Sequence, residues 1–160
     1  MSVEFQKAKD SLQITDVYLK GLSAELFNDF EPKFDSNIDE LDEQSKHYVR
    51  KADMIEFDDT KLLRVFVELG IRLVDTKLDK NIGLKAQIEA EFVVEYIMSE
   101  DLDQSAIDEF ALKNSSYHVW PYWRELLMSQ CTRMHLPRLA LPTLQVAQNH
   151  NQVDEVEKGS

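Results

Sequence analysis

Apolar and polar positions alternate over several stretches of this 160-residue sequence, and helical spacing takes over in its last third. Between Ser11 and Leu26, Leu12, Ile14 and Tyr18 fall at even spacing, and Leu22, Ala24 and Leu26 resume the pattern beyond Gly21. A period of two predicts a strand, and the glycine predicts a bulge or bend within it. Val17 and Leu19 fall on the opposite phase, so part of this strand is expected to be covered on both sides. Strand signals return at Tyr48 to Phe57, and Asp58-Asp59-Thr60 then offers a tight turn. A third strand alternates Leu63, Val65, Val67, Leu69, Ile71 and Leu73 with Arg64, Phe66, Glu68 and Arg72. A fourth alternates Ala86, Ile88, Ala90, Phe92, Val94 and Tyr96 with Gln87, Glu89, Glu91 and Glu95. Short connections between these strands predict an antiparallel meander with one apolar face and one wet face, the latter acidic along the last strand.

The stretch from Asn28 to Lys46 contains Pro32 and an IDELDEQSK run. It is expected to be a solvated acidic excursion with a short helical turn from Asp39. After a linker from Ser99 to Asp103, Ile107, Phe110 and Ala111 mark an amphipathic turn or two. Pro121 is tolerated in the first turn of a helix and disruptive in the middle of one, so a long helix restarts or kinks there. Trp120, Trp123, Leu127, Cys131 and Met134 form a stripe at three-four spacing, and Val119, Tyr122 and Leu126 form a second beside it. A sheet buries one such stripe; the other needs a further partner. The helix ends in a Leu-Pro-x-Leu-x-Leu-Pro strip over 136–142, and Thr143 to Val146 can extend it. Strands followed by helices indicate an α+β domain: a four-stranded antiparallel β-meander with a long C-terminal helix packed on one face. One domain over 1–146 and a polar, disordered tail over 147–160 are expected.

The formal charge of −12 disfavours phosphate backbones and anionic lipid as partners. It attracts basic or unfolded polycationic segments over about 8 Å at physiological salt. The single cysteine, Cys131, excludes an intramolecular disulfide and suits a reducing compartment. The N-terminal MSVEFQKAKD lacks the apolar run of a secretory signal, and no stretch has the apolar length of a membrane span. A soluble cytoplasmic protein is expected, with no nucleic-acid partner and no membrane insertion.

Candidate chemistry is sparse. Cys131 and His135 have the spacing of two ligands or a thiol–imidazole pair on one helix, yet no second Cys/His pair completes a site, and a buried inert thiol is the ordinary reading. His47 and His150 have polar surroundings and no evident partner, and His118 is remote in sequence. Glu56, Asp58 and Asp59 lack the ordered spacing of a calcium loop. Only four glycines occur, none in a phosphate-binding loop. Tyr117, Trp120, Tyr122 and Trp123 could form a stacking platform, but without basic neighbours packing explains them better. No catalytic, metal or cofactor site emerges, and an enzyme is not expected.

The helix carries Pro121, Tyr122, Arg124, Glu125, Ser129, Arg133, Pro137, Leu139, Leu141 and Pro142 in a spacing that resembles the SecB family of bacterial protein-export chaperones. The opening strand adds Leu12, Gln13, Ile14, Val17, Tyr18, Lys20, Leu22, Ser23 and Glu25, which fall where that family has its first-strand pattern. The close match covers this strand and the helix, and the middle strands agree in kind and order.

The resemblance implies a four-stranded sheet with helices on one face, protomers paired edge to edge through their first strands, and two such dimers stacked through the long helix. It would place Tyr18, Trp123 and Leu127 at contacts between copies. It implies an ATP-independent holdase that binds unfolded, export-bound polypeptides in apolar grooves, with Tyr117, Trp120 and Trp123 as candidate groove residues. It also implies docking to the translocation motor SecA through an acidic sheet surface. Of that surface Glu25 and Glu89 are retained, whereas Gly21 replaces a carboxylate and Gln87 an apolar contact. SecB-like members also serve as dedicated chaperones of antitoxins, so a single-partner chaperone is the first alternative and a non-chaperone oligomeric scaffold the second.

Overall fold

The structure is a computed structural model that describes residues 2–139 and residue 147. Four strands, β1 (Leu12–Leu26), β2 (Asp42–Phe57), β3 (Thr60–Val74) and β4 (Leu84–Met98), form one antiparallel sheet. Helices α1 (Val3–Ser11), α3 (Gln104–Lys113) and α4 (Ser115–Arg133) lie on one side of it, and a single turn, α2 (Lys80–Gly83), joins β3 to β4. The alternating apolar residues of β3 and β4 bury the helix-facing side: Leu63, Val65, Val67, Leu69, Ile71 and Leu73 interdigitate with Ile107, Phe110, Val119, Trp120, Trp123 and Leu127. The opposite side of the sheet is left open among the described residues.

Strand order is β1-β4-β3-β2, so only β2, β3 and β4 form the meander of sequence neighbours. The first strand pairs with the last, and residues 27–41 carry the chain from one edge of the sheet to the other. That connection is not a solvated loop. It buries Phe30 and Pro32, packs Ile38 and Leu41 against the core, and includes two single 3-10 turns, Pro32–Phe34 and Ile38–Glu40. The acidic stretch also ends earlier than expected, because residues 42–46 already belong to β2.

At the β2–β3 hairpin, Asp58 and Asp59 both adopt left-handed backbone, with φ of 54° and 60°. A two-residue turn of this hand matches strand twist, and Asp is among the few non-glycine residues that accept it. In β1 the pairing slips between Ile14 and Asp16 and again between Leu19 and Gly21. Each bulge inserts one residue and inverts the phase of the residues beyond it. Ile14, Val17, Leu19, Leu22, Ala24 and Leu26 therefore all share the helix-side face, opposite Tyr96, Val94, Phe92, Ala90, Ile88 and Ala86. Tyr18 points to the open side, opposite Val93, and not with Leu12 and Ile14 as strict alternation predicts.

Helix α1 has no clear signal in the sequence. Ser2 caps it by accepting a hydrogen bond from the Phe5 amide at 3.0 Å, and Phe5 and Ala8 bury its inner face. Ser2 donates to Glu109 Oε2 at 2.7 Å and Ser105 to Glu4 Oε2 at 3.0 Å, which fixes α1 against α3. Helix α4 begins six residues before Pro121, so of the two expectations at that proline, a restart or a kink, the restart is not what occurs. Pro121 sits inside it on an exposed position, where its ring nitrogen has no proton to give to the Tyr117 carbonyl. The helix ends with His135 in left-handed backbone (φ 54°), and the Leu136 amide returns to the Cys131 carbonyl at 2.9 Å. This is the capping arrangement that satisfies the last carbonyls of a helix. Leu141, Pro142, the Thr143–Val146 extension, His150 and all of the polar tail except residue 147 lie outside the described residues.

Candidate functional site

Strand β1 is the least covered element of the molecule. Helix α4 lies chiefly over β4 and reaches β3 and β1 on its two flanks, while α3 lies over β2. Leu12 is buried under α1, but Ile14, Leu19, Leu22 and Leu26 stay exposed on the helix side of the sheet. These four side chains form a continuous apolar row beside a strand edge whose outer amides and carbonyls meet no other strand among the described residues. Even spacing alone does not reveal the row, since the two bulges place Leu19 with Ile14 and Leu22.

The long helix turns one stripe inward and leaves a partial one outside. Trp120 and Trp123 are each 2% exposed and Leu127 is equally buried, so all three belong to the protomer's own core. Of the aromatic residues singled out for polypeptide contact, only Tyr117 stands at the surface. Tyr122 and Met128 are exposed further along α4, with Leu126 half-buried beside them. Tyr18, the remaining candidate for contact between copies, is exposed on the other side of the sheet. There its hydroxyl is shared between Glu95 and Arg64, and its pKa is raised by burial and by Glu95.

On the open face two carboxylates of β4, Glu89 and Glu91, are matched by cations from neighbouring strands. Glu91 accepts from Arg50 Nε at 2.6 Å and lies 3.8 Å from Lys20. Glu89 is 2.9 Å from Lys46, whose side chain crosses Gly70; a Cβ at Gly70 would come within 2.8 Å of it. Glu25 is exposed, with Gln87 opposite it and Ser23 opposite Glu89. At the centre, Phe66 is buried beneath Lys51, Lys20, Arg50 and Arg64, whose charged groups lie 4.5–5.3 Å from the ring centroid. The face is thus a charge mosaic, and the acidity expected of its last strand is compensated at Glu89 and Glu91.

No family model and no curated protein matches the sequence. Among solved structures, the chain is similar to the SecB-like chaperone Rv1957 of Mycobacterium tuberculosis, in complex with a ChAD peptide from the Rv1956 HigA1 antitoxin. The TM-score is 0.68 at 16% identity, and the match covers 90% of this chain and 98% of that one. The protein has the SecB-like fold.

Within this SecB-like fold Cys131 and the described histidines singled out by the sequence are set apart from one another. Cys131 is buried, and desolvation followed by Glu43 pushes its thiol up to about 11. His135 is carried out to solvent by the turn that ends α4, so the Cys131–His135 spacing does not produce a pair. His118 Nδ1 lies 2.7 Å from the Tyr96 hydroxyl, which also donates to Ser115 at 3.1 Å, and burial depresses the imidazole pKa. Burial likewise raises the Tyr96 pKa. His47, whose sequence surroundings are polar, is instead buried and stacked on Trp120 with ring centroids 5.7 Å apart. Among the described residues no group of three or more His, Cys, Asp or Glu side chains could hold a metal ion, and no helix is long and apolar enough to cross a membrane.

Proposed function

We propose that the protein is an ATP-independent, SecB-like holdase of the cytoplasm that captures non-native polypeptide on the exposed apolar row of β1. The observation that carries this reading is the SecB-like fold over nearly the whole chain, combined with that unpartnered row of Ile14, Leu19, Leu22 and Leu26. The free edge of β1 pairs with that of a second copy through main-chain hydrogen bonds, and the side chains of the row take the client. Burying on the order of 1,000 Å² of apolar client surface gives about 25 kcal/mol gross. Most of it is offset by ordering the client, which leaves micromolar to nanomolar affinity and low sequence specificity. Tyr117 is a contact residue at the surface of α4; Trp120 and Trp123 support it from below. The same apolar surfaces serve assembly of copies into a dimer of dimers, with β1 as one contact and the outer stripe of α4 as the other.

A second, narrower reading is a dedicated chaperone of one partner. Two observations favour it: the SecB-like neighbour is held with an antitoxin peptide, and Glu89 is engaged by Lys46 rather than free to receive SecA. Surface pairs of this kind contribute about 0–1 kcal/mol each, so SecA docking is weakened rather than abolished. The test is suppression of aggregation of several unrelated unfolded clients, without nucleotide, at near-stoichiometric ratio. Protection of all of them supports the general holdase. Protection of none sinks it and leaves the dedicated chaperone or a scaffold for folded partners.

A further inference from the structure

At the β2–β3 hairpin end of the open face, Ile55, Leu62 and Ile97 stand in one row across three strands, Ile55 opposite Leu62 and Leu62 opposite Ile97. Phe57, the next residue of β2 on that face, is 69% exposed; Ile97 is also exposed, and Ile55 and Leu62 are half-buried. The neighbouring row, about 7 Å further along the strands, is Asp53, Arg64, Glu95 and Asp16. Arg64 points its fork at Asp53, at 3.1 and 3.2 Å. Asp16 stands directly opposite Glu95, a like-charge arrangement that costs stability in an isolated sheet. On the other flank of the apolar row, the exposed Asp58 and Asp59 form the hairpin turn. Apolar side chains are therefore bracketed by carboxylates. On the inner side Asp53 is held by Arg64 and by Lys51 at 3.6 Å, and Glu95 meets the Tyr18 hydroxyl. Asp16 and Glu95 are thus the two carboxylates there without a lysine or arginine ion pair among the described residues.

From this pattern we infer that the hairpin end of the open face docks a short cationic amphipathic segment of another polypeptide. Its apolar side chains lie on Ile55, Leu62, Ile97 and Phe57, and its Lys or Arg residues reach Asp16 and Glu95 on one side and Asp58 and Asp59 on the other. Charge complementarity selects this occupant over a second copy, which brings a net charge of −12 with it. The surface is separate from the β1 row and from the Glu25–Glu89 end of the sheet, so the inference stands whether or not the protein is a holdase.

The test is fluorescence anisotropy with the full chain and two labelled short peptides, one alternating Leu with Lys and one alternating Leu with Glu. The Lys peptide is expected to bind and the Glu peptide not, with binding weakening as salt is raised. The double variant Asp16→Asn with Glu95→Gln removes repulsion and keeps the fold; it is expected to weaken the Lys peptide roughly threefold or more. Phe57→Ser, at an exposed position, is expected to weaken it comparably, while Glu25→Gln with Glu89→Gln leaves it unchanged. Equal binding of the two peptides, or no loss in either hairpin-end variant, overturns the inference. A fall in hydrodynamic mass in Phe57→Ser with peptide affinity unchanged also overturns it, assigning the row to contact between copies.

Discussion

Cys131 and His135 lie four residues apart on what the sequence presents as one helix, yet the end of that helix falls between them. The left-handed backbone at His135 throws its ring outward, while the thiol stays buried. A thiol pushed up to about 11 holds almost no thiolate at neutral pH. Alkylation by iodoacetamide at pH 8 is therefore expected to be negligible in the native protein and complete in denaturant, as read by mass spectrometry; rapid native labelling would contradict this burial. The inert thiol is legible in sequence because Cys131 shares a stripe with Trp123 and Leu127. The placement of His47 is not: its neighbours in the chain are polar, and what buries it is Trp120.

Among the elements, β3 and β4 are the easiest to read, because one of their faces is almost wholly apolar while charged residues recur along the other. Strand β1 reads as a strand with a break at Gly21, but its two bulges regroup the side chains, so the exposed row cannot be assembled from even spacing. Helix α1 offers only Val3, Phe5 and Ala8 as apolar residues, too few for a periodic signal. The start of β2 is hidden by its polar Glu43 and Ser45. In α4 the cost of Pro121 is met by packing of Val119, Trp120 and Trp123, which holds the helix together across the missing hydrogen bond. Pro121→Ala, at an exposed position, restores that bond to the Tyr117 carbonyl and is expected to raise stability by about 1–2 kcal/mol in urea unfolding, after allowance for the looser unfolded chain. By contrast, Trp123→Ala should lose about 3–5 kcal/mol whatever the assembly state, since its ring is in the protomer core.

At the scale of the molecule, the fold class is legible from strands succeeded by helices, whereas the order of strands is not. Local alternation reports which face a residue takes and is silent on which distant strand lies beside it. The exposed row and free edge of β1 carry the proposed assembly, and this gives a direct check. Leu22→Lys is expected to preserve the circular dichroism spectrum and reduce the sedimenting mass from an oligomer toward the 18.6 kDa protomer. An unchanged oligomer would move the contact elsewhere, and a wild-type protomer would remove it. The strand order has one more consequence, in time rather than in space. Leu12 faces Met98, so among the described residues β1 has its one sheet neighbour at the far end of the strand sequence. Closing that loop costs more chain entropy than either hairpin does. During synthesis the first strand leaves the ribosome early and waits, unpaired, until β4 emerges.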